Sequence, residues 1–306
     1  MSIAVVGSYG VGMTMRVARF PLPGETLSGG RYSAGPGGKG SNQAIGAARL
    51  GAEVALLTAV GDDTLGRDAR ALWSREGVDS RHVITGTAAT MVGFILVDEH
   101  GENSIVIAPG ALEQLAPQHV ETFRATIAAA DLLVVSMEIP LDAVSAALRI
   151  AHEEGTRTLL NPAPASPLPP EVWPWIDVLT PNRTEAPILL GLDPRDAAAP
   201  VDLARALRER TAATIVMTLG SEGALVLDGD TMHTVPAVAP ARVVDTTGAG
   251  DAFTAALAVA LTESRSIPEA VRFAASAGAH AVTIEGVIDA LPDRAVLERL
   301  LTGDDG

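Results

Sequence analysis

The stretch Val54-Ala55-Leu56-Leu57-Thr58-Ala59-Val60-Gly61, followed by a helical pattern over 64–76 and then Gly77, sets the reading of this chain. The run of apolar and small residues up to a glycine is the pattern of a strand buried on both faces. The residues after it form a helix that Gly77 closes. The same rhythm extends in both directions. Residues 3–6 read as a strand ending at Gly7, and 42–50 as a helix closed by Gly51. Downstream, 132–135, 158–160, 176–179, 215–219 and 224–227 read as strands, and 141–154, 251–262, 267–283 and 294–301 as helices. Strands alternating with helices predict an α/β fold of three layers, α/β/α, around a mostly parallel central sheet.

Two stretches, 11–33 and 85–108, break the rhythm. The second contains an apolar run over 91–97, the turn Asp98-Glu99-His100-Gly101 and a second run over 104–108, which is a hairpin pattern. Both stretches leave the sheet early in the chain, so they are expected to pair into a small accessory sheet. The Pro-rich stretch 162–174 lies between two strand runs and reads as an ordered loop. No shift in composition marks a second domain, so one domain is expected over 1–306.

Composition narrows the function. The chain has 306 residues, with 22 Lys plus Arg against 37 Asp plus Glu, for a formal net charge of −15. An acidic chain has no electrostatic footprint for nucleic acid or an anionic membrane. There are no cysteines, hence no disulfides or thiolate chemistry, and the six histidines show no metal-ligand spacing. No apolar run reaches the ~18–20 residues that span a bilayer. The N-terminus lacks the basic start of a signal peptide, and a cytoplasmic location is expected. Lys39 is the only lysine in the chain.

Two motifs carry chemistry. In Asp245-Thr246-Thr247-Gly248-Ala249-Gly250-Asp251, three small residues run into an Ala-rich helix. Backbone N–H groups at such a helix start have no intrahelical partner and attract anions. A carboxylate beside that hole suits a base that takes a proton from an attacking hydroxyl while the hole holds a transferring phosphoryl group. The same pattern also serves as an ordinary helix start with Asp in its first turn. The second motif is Gly35-Pro36-Gly37-Gly38-Lys39-Gly40-Ser41-Asn42-Gln43-Ala44, where glycines admit a ligand close to the backbone. It is not a Walker A loop, and Gly7-Ser8-Tyr9-Gly10-Val11-Gly12 is not a dinucleotide fingerprint.

Together these motifs resemble the two signatures of the PfkB, or ribokinase-like, family of carbohydrate kinases. Thr180-Pro181-Asn182-Arg183-Thr184-Glu185 resembles that family's Asn-x-x-Glu motif. Asn161-Pro162-Ala163-Pro164 and Thr218-Leu219-Gly220-Ser221-Glu222-Gly223 resemble further segments in the usual order. The resemblance covers nearly the whole chain. It implies transfer of the γ-phosphoryl of ATP to a primary hydroxyl of a sugar or sugar derivative, with Mg²⁺. By the match, Asp251 is the base, and Gly248, Ala249 and Gly250 form the anion hole. Gly37, Gly38, Lys39, Asn42 and Glu138 match sugar-binding positions, with Lys39 and Asn42 donating to hydroxyls. Asn182, Thr218, Gly220, Ser221 and Gly223 match the ATP site, and Glu185 a Mg²⁺ position acting through water. The stretches 11–33 and 85–108 match a β-lid that covers the sugar and joins two copies as a homodimer; Gly93, Ile95 and Ile107 are candidates to press on the substrate.

This sequence departs from the family pattern in two places. Gly10 and Gly12 stand where the ribokinase pattern Gly-Ser-x-Asn-x-Asp has Asn and Asp, which removes a carboxylate that accepts from sugar hydroxyls and argues against ribose. The family's monovalent-cation site, which takes K⁺, matches Asp245 and the carbonyls of Thr247, Ala281, Ile284 and Gly286. Its side-chain hydroxyl falls on Ala290, leaving the site one ligand short. The alternatives left open are a kinase for a keto-deoxy sugar acid or a nucleoside, and a non-catalytic sugar or nucleotide sensor.

Overall fold

The fold is taken from a computed structural model that describes residues 1–195 and 197–302. Its centre is a nine-stranded sheet. In spatial order the strands are Thr231–Val235, Ala224–Asp228, Thr214–Thr218, Val178–Leu179, Arg157–Asn161, Leu132–Ser136, Ser2–Val6, Glu53–Leu57 and Val78–Asp79. The pairs from Thr214–Thr218 to Val78–Asp79 are all parallel, and the two strands beyond Thr214–Thr218 join antiparallel.

Alternate residues of each strand feed two cores. Ile3, Val5, Leu132 and Val134 pack on one side, against the helices Lys39–Arg49, Ala249–Thr262 and Ile267–Ala281. Ala4, Val6, Leu133 and Val135 pack on the other, against Leu141–Glu154 and Pro200–Arg208. The period of two along each strand therefore produces the three layers predicted from sequence.

Local chemistry fixes the helix ends. Asp63 caps Thr64–Arg75, its Oδ1 accepting from the N–H of Gly66 at 2.8 Å. Gly155, in the left-handed region, ends Leu141–Glu154.

The accessory sheet has four strands in the order Arg31–Gly37, Gly10–Arg16, Val92–Val97, Asn103–Ala108. The expected insertions are therefore displaced at their edges. The first contributes from Gly10 and returns as far as Gly37, beyond the expected 11–33. In the second, 85–91 precedes the hairpin, and Ile84–Gly86 pairs instead with Ala59–Gly61. The predicted strand over 54–60 is accordingly two strands in two sheets.

The register sorts the accessory sheet into two faces. Ala34, Met13, Phe94 and Val106 lie opposite one another on one face, with Tyr32, Met15 and Leu96 in the next row. Gly35, Gly12, Gly93 and Ile107 lie on the other face, with Ile95 and then Arg16 further along it. The first face runs down onto the helix Thr64–Arg75, where Val11, Ala34 and Pro36 share a cavity of about 340 Å³ with Leu65, Asp68 and Leu72.

Candidate active site

In an open parallel sheet, the crevice outside the carboxyl ends of the strands is where ligands bind. Here that edge carries Gly7 and Ser8, Met137 and Glu138, Asn161, Thr180 to Asn182, and Thr218, each just at or past a strand end. A cavity of about 250 Å³ lies there, lined by Lys39, Asn161, Asn182, Glu185, Thr218, Gly248, Gly250 and Asp251 among others. Residues more than 200 positions apart in sequence thus meet at one site, through close packing of two helix starts.

The first helix start is Lys39–Arg49. Its backbone crosses the turn after the first strand so closely that a Cβ on Gly40 would lie 2.6 Å from the Gly7 carbonyl carbon, so only glycine fits. Ser41 N–H donates to the Ser8 carbonyl at 2.9 Å. Ser8 Oγ and Lys39 N–H both donate to Glu138 Oε2, at 2.5 and 3.1 Å. Glu138 is thereby tied to the loop that carries Gly38 and Lys39.

The second helix start is Ala249–Thr262. Gly248 caps it with φ 80°, a backbone angle that favours glycine, and a Cβ there would meet Val287 at 2.7 Å. Among the described residues, the N–H groups of Gly248, Gly250 and Asp251 make no hydrogen bond, whereas that of Ala249 leans on the Thr246 carbonyl at 3.4 Å. Free N–H groups at a helix start, one turn below a carboxylate, form a compact anion hole. The two helices approach at small residues, and a Cβ on Gly46 would lie 2.8 Å from that of Ala255. One turn earlier on each helix, Asn42 Nδ2 donates to Asp251 Oδ2 at 2.7 Å, and Gln43 Nε2 donates to Asp251 Oδ1 at 3.1 Å.

Asp251 is buried, and burial pushes its pKa above the ordinary carboxylate value; the Lys39 charge and the two amide donors work against that rise. Burial pulls Lys39 down, but the facing charges of Asp251, Glu138 and Glu185 outweigh it and hold the ammonium above its ordinary value. Glu185 is raised, first by burial. The sole lysine therefore sits as a stable cation among three carboxylates. Asn42 Nδ2 uses one of its two hydrogens on Asp251, a contact that the sequence does not reveal.

The Asn182-x-x-Glu185 motif closes on itself. Asn182 Oδ1 accepts from the N–H groups of Thr184 and Glu185, both at 2.9 Å, and Glu185 Oε2 accepts from Asn182 N–H at 2.8 Å. This is a reciprocal helix cap. It leaves Glu185 Oε1 and Asn182 Nδ2 available toward the cavity. No group of three acidic, His or Cys side chains suited to holding a metal directly occurs among the described residues. A lone available carboxylate oxygen fits a hydrated Mg²⁺ held mainly by phosphates, not a protein cage.

Thr218 is beside Asn182, its N–H donating to the Pro181 carbonyl at 2.9 Å. Gly220 and Ser221 form a short 3₁₀ turn that closes when Leu219 N–H donates to Gly223 O at 2.8 Å. An ion pair from Arg183 to Glu222 at 2.9 Å joins the two loops. The residues expected around the nucleotide therefore lie on adjoining strand ends.

The expected monovalent-cation residues also come together. Val282 O accepts from the N–H groups of Val244 and Asp245, at 2.7 and 3.3 Å. Asp245 accepts from Thr247 N–H at 2.9 Å and Gly286 N–H at 3.1 Å. Burial opposes its ionisation, but these donors and the nearby Arg16 charge prevail and keep its pKa below the ordinary value. Ala281 O accepts from Ile284 N–H at 3.3 Å, so one of the expected carbonyls is already engaged. Gly10 and Gly12 lie on the strand that leads into the accessory sheet, where Gly10 pairs with Gly37 and Gly12 with Gly35.

Gln43, Ser8, Asn161 and Thr180 were not assigned roles from sequence. All stand inside or beside quoted motifs, but nothing in a linear pattern shows which side chain of a motif turns toward a residue 200 positions away.

The chain also matches known proteins over nearly its whole length. Residues 2–294 match the family model described as pfkB family carbohydrate kinase. The chain is 38% identical to the ribokinase of Haemophilus influenzae over 294 residues, covering 96% of each chain. It is 35% identical to the ribokinase of Bacillus subtilis, covering 98% of this chain and 99% of the other. Among solved structures, Arabidopsis thaliana ribokinase complexed with ribose and ATP superposes with a TM-score of 0.92 at 30% identity, covering 98% of each chain.

Proposed function

The chain belongs to the pfkB family of carbohydrate kinases and is an ATP-dependent sugar kinase, and from that premise we propose which residues carry the reaction and what the acceptor is. Asp251 is the general base. An acceptor hydroxyl beside it gives its proton to the carboxylate as its oxygen bonds to the γ-phosphorus, and the bond from that phosphorus to the β–γ bridging oxygen breaks to release ADP. The N–H groups of Gly248 and Gly250, with Ala249 completing the turn, hold the transferring group's oxygens. Lys39 and Glu138 orient the sugar. Asn182, Thr218, Gly220, Ser221 and Gly223 flank the nucleotide. Glu185 would hold a Mg²⁺ through water, and that ion would supply charge neutralisation on the phosphates. The loops at Asp245 and Gly286 form a monovalent-cation site, short of one ligand at Ala290.

The observation that carries this reading is the position of Asp251: a buried carboxylate, one turn above unpartnered N–H groups, in one cavity with Lys39 and Glu185.

The accessory sheet is the lid. Its glycine-bearing face, with Gly12, Gly93, Ile95 and Ile107, covers the sugar. Its opposite face exposes Tyr32 at 61%, Phe94 at 59% and Val106 at 69%, and we assign it to a homodimer contact.

Gly12 directs the acceptor away from ribose, since no carboxylate stands there. The position has room: a Cβ on Gly12 meets only Ile95 Cδ1 at 3.7 Å and Gly35 O at 4.0 Å, whereas one on Gly10 would strike Met91 Cε at 2.4 Å. Sugar-dependent ADP release, measured over pentoses, hexoses, keto-deoxy sugar acids and nucleosides, tests the proposal. Release is expected with a sugar other than ribose, and Gly12→Asp is expected to raise kcat/KM for ribose by about tenfold or more. Robust ribose turnover by the native chain contradicts the assignment to position 12, and a failure to release ADP with any of these acceptors leaves only the sensor.

A further inference from the structure

We propose that Gln43 is a positioning residue that holds Asp251 in its ionised, aimed form; the proposal rests on the reading of Asp251 as the base. The Gln43 amide nitrogen has two hydrogens and two acceptors, Asp251 Oδ1 at 3.1 Å and Asn161 Oδ1 at 3.0 Å. Turning the amide over would set its oxygen against two other oxygens, so these neighbours fix its orientation. Asn161 is held in turn, with Nδ2 reaching Thr180 O at 3.4 Å and Thr180 Oγ1 at 3.5 Å. Thr180 ends the strand that leads to Asn182 and Glu185. A buried chain of polar groups thus runs from the base to the nucleotide-side loop.

Two amides meet the carboxylate, Asn42 on one oxygen and Gln43 on the other. Their own carbonyl oxygens, Asn42 Oδ1 and Gln43 Oε1, are buried without a hydrogen-bond partner. Stability alone would not select that arrangement, because a buried acceptor without a donor is costly. It follows if both nitrogens are required at Asp251. Each donates to the charged form, and a donor to a carboxylate favours ionisation. Asn42 lies in the first turn of its helix beside Lys39, at the sugar. Gln43 points the other way, and among the described residues its side chain donates only to Asp251 and Asn161. Its role is therefore on the base alone.

Gln43→Met keeps the length and removes the donor. The expected result is an acidic limb of the kcat profile moved upward by about one pH unit and kcat lowered about tenfold near neutrality. ATP affinity, read by calorimetry, is expected to stay unchanged. Gln43→Glu keeps shape and polarity and sets a second carboxylate against the first, so its limb is expected to move further upward. An unmoved limb in both variants, or a change confined to KM, overturns the proposal. The thermal transition of each variant is measured alongside, and Gln43→Glu supplies the profile if the Met variant does not fold. Asp251→Asn separates the two claims: if it retains turnover, the base assignment fails, whereas if it is inactive and the Gln43 limbs are unmoved, only the role of Gln43 fails.

Discussion

A carboxylate enclosed by protein is costly to ionise, and Asp251 makes no salt bridge among the described residues to offset that cost directly. Its nearest help is the Lys39 charge and two neutral donors. A carboxyl whose folded pKa is raised stabilises the fold fully below its unfolded pKa, and that contribution is lost as pH rises through the folded value. At neutral pH the native protein therefore bears a penalty that Asp251→Asn removes, and the new amide nitrogen, set toward Asn42, can donate to Asn42 Oδ1 once that amide turns over. Thermal denaturation should show the variant more stable at pH 7 by on the order of 1 kcal/mol, or roughly 2 °C in Tm. The gain should vanish as pH falls below the ordinary Asp value of 3.8. A variant less stable at pH 7 contradicts this. Asp251 and Lys39 were legible in sequence because each stands in a motif whose residue types imply the chemistry. The alignment of Asn42 with Asp251 was not, since it depends on how closely two helices approach.

Among the elements, most strands of the central sheet and the helices beside the two motifs were legible to within a few residues, whereas the helix Pro200–Arg208, with Leu203, Ala204 and Leu207 buried in one core, was not. The unbroken run 54–60 concealed a change of sheet at Thr58, because an apolar run reports burial and not the identity of the pairing partner. The edge strand Thr231–Val235 escaped notice because its polar residues give no apolar run. The Asn-x-x-Glu motif proved to be a helix cap as well as a cavity wall, two uses that spacing alone does not separate. The hairpin 92–108 was legible from its turn, where Asp98 Oδ1 accepts from the N–H groups of His100 and Glu102. The homodimer contact proposed for it rests on one exposed face. Phe94→Asp combined with Val106→Lys places charge in the middle of that face. Light scattering should give the mass of two chains for the native protein and of one for the variant. A native monomer, or a variant that stays dimeric, contradicts the assignment of that face.

At the scale of the whole molecule, an acidic protein must bind an anionic nucleotide and move a phosphoryl group. The net charge of −15 is compatible with that only because positive potential is concentrated locally. It comes from the helix start at Gly248 and from the single lysine. The parallel sheet makes this possible by bringing five strand ends to one crevice, where chain segments distant in sequence meet. The central claim is that Asp251 accepts the proton of the attacking hydroxyl. Its most direct test is Asp251→Asn, assayed for sugar-dependent ADP release with the best acceptor and for ATP binding by calorimetry. The account predicts a loss in kcat of roughly 10³-fold or more with ATP affinity preserved. Near-native turnover in that variant would contradict it.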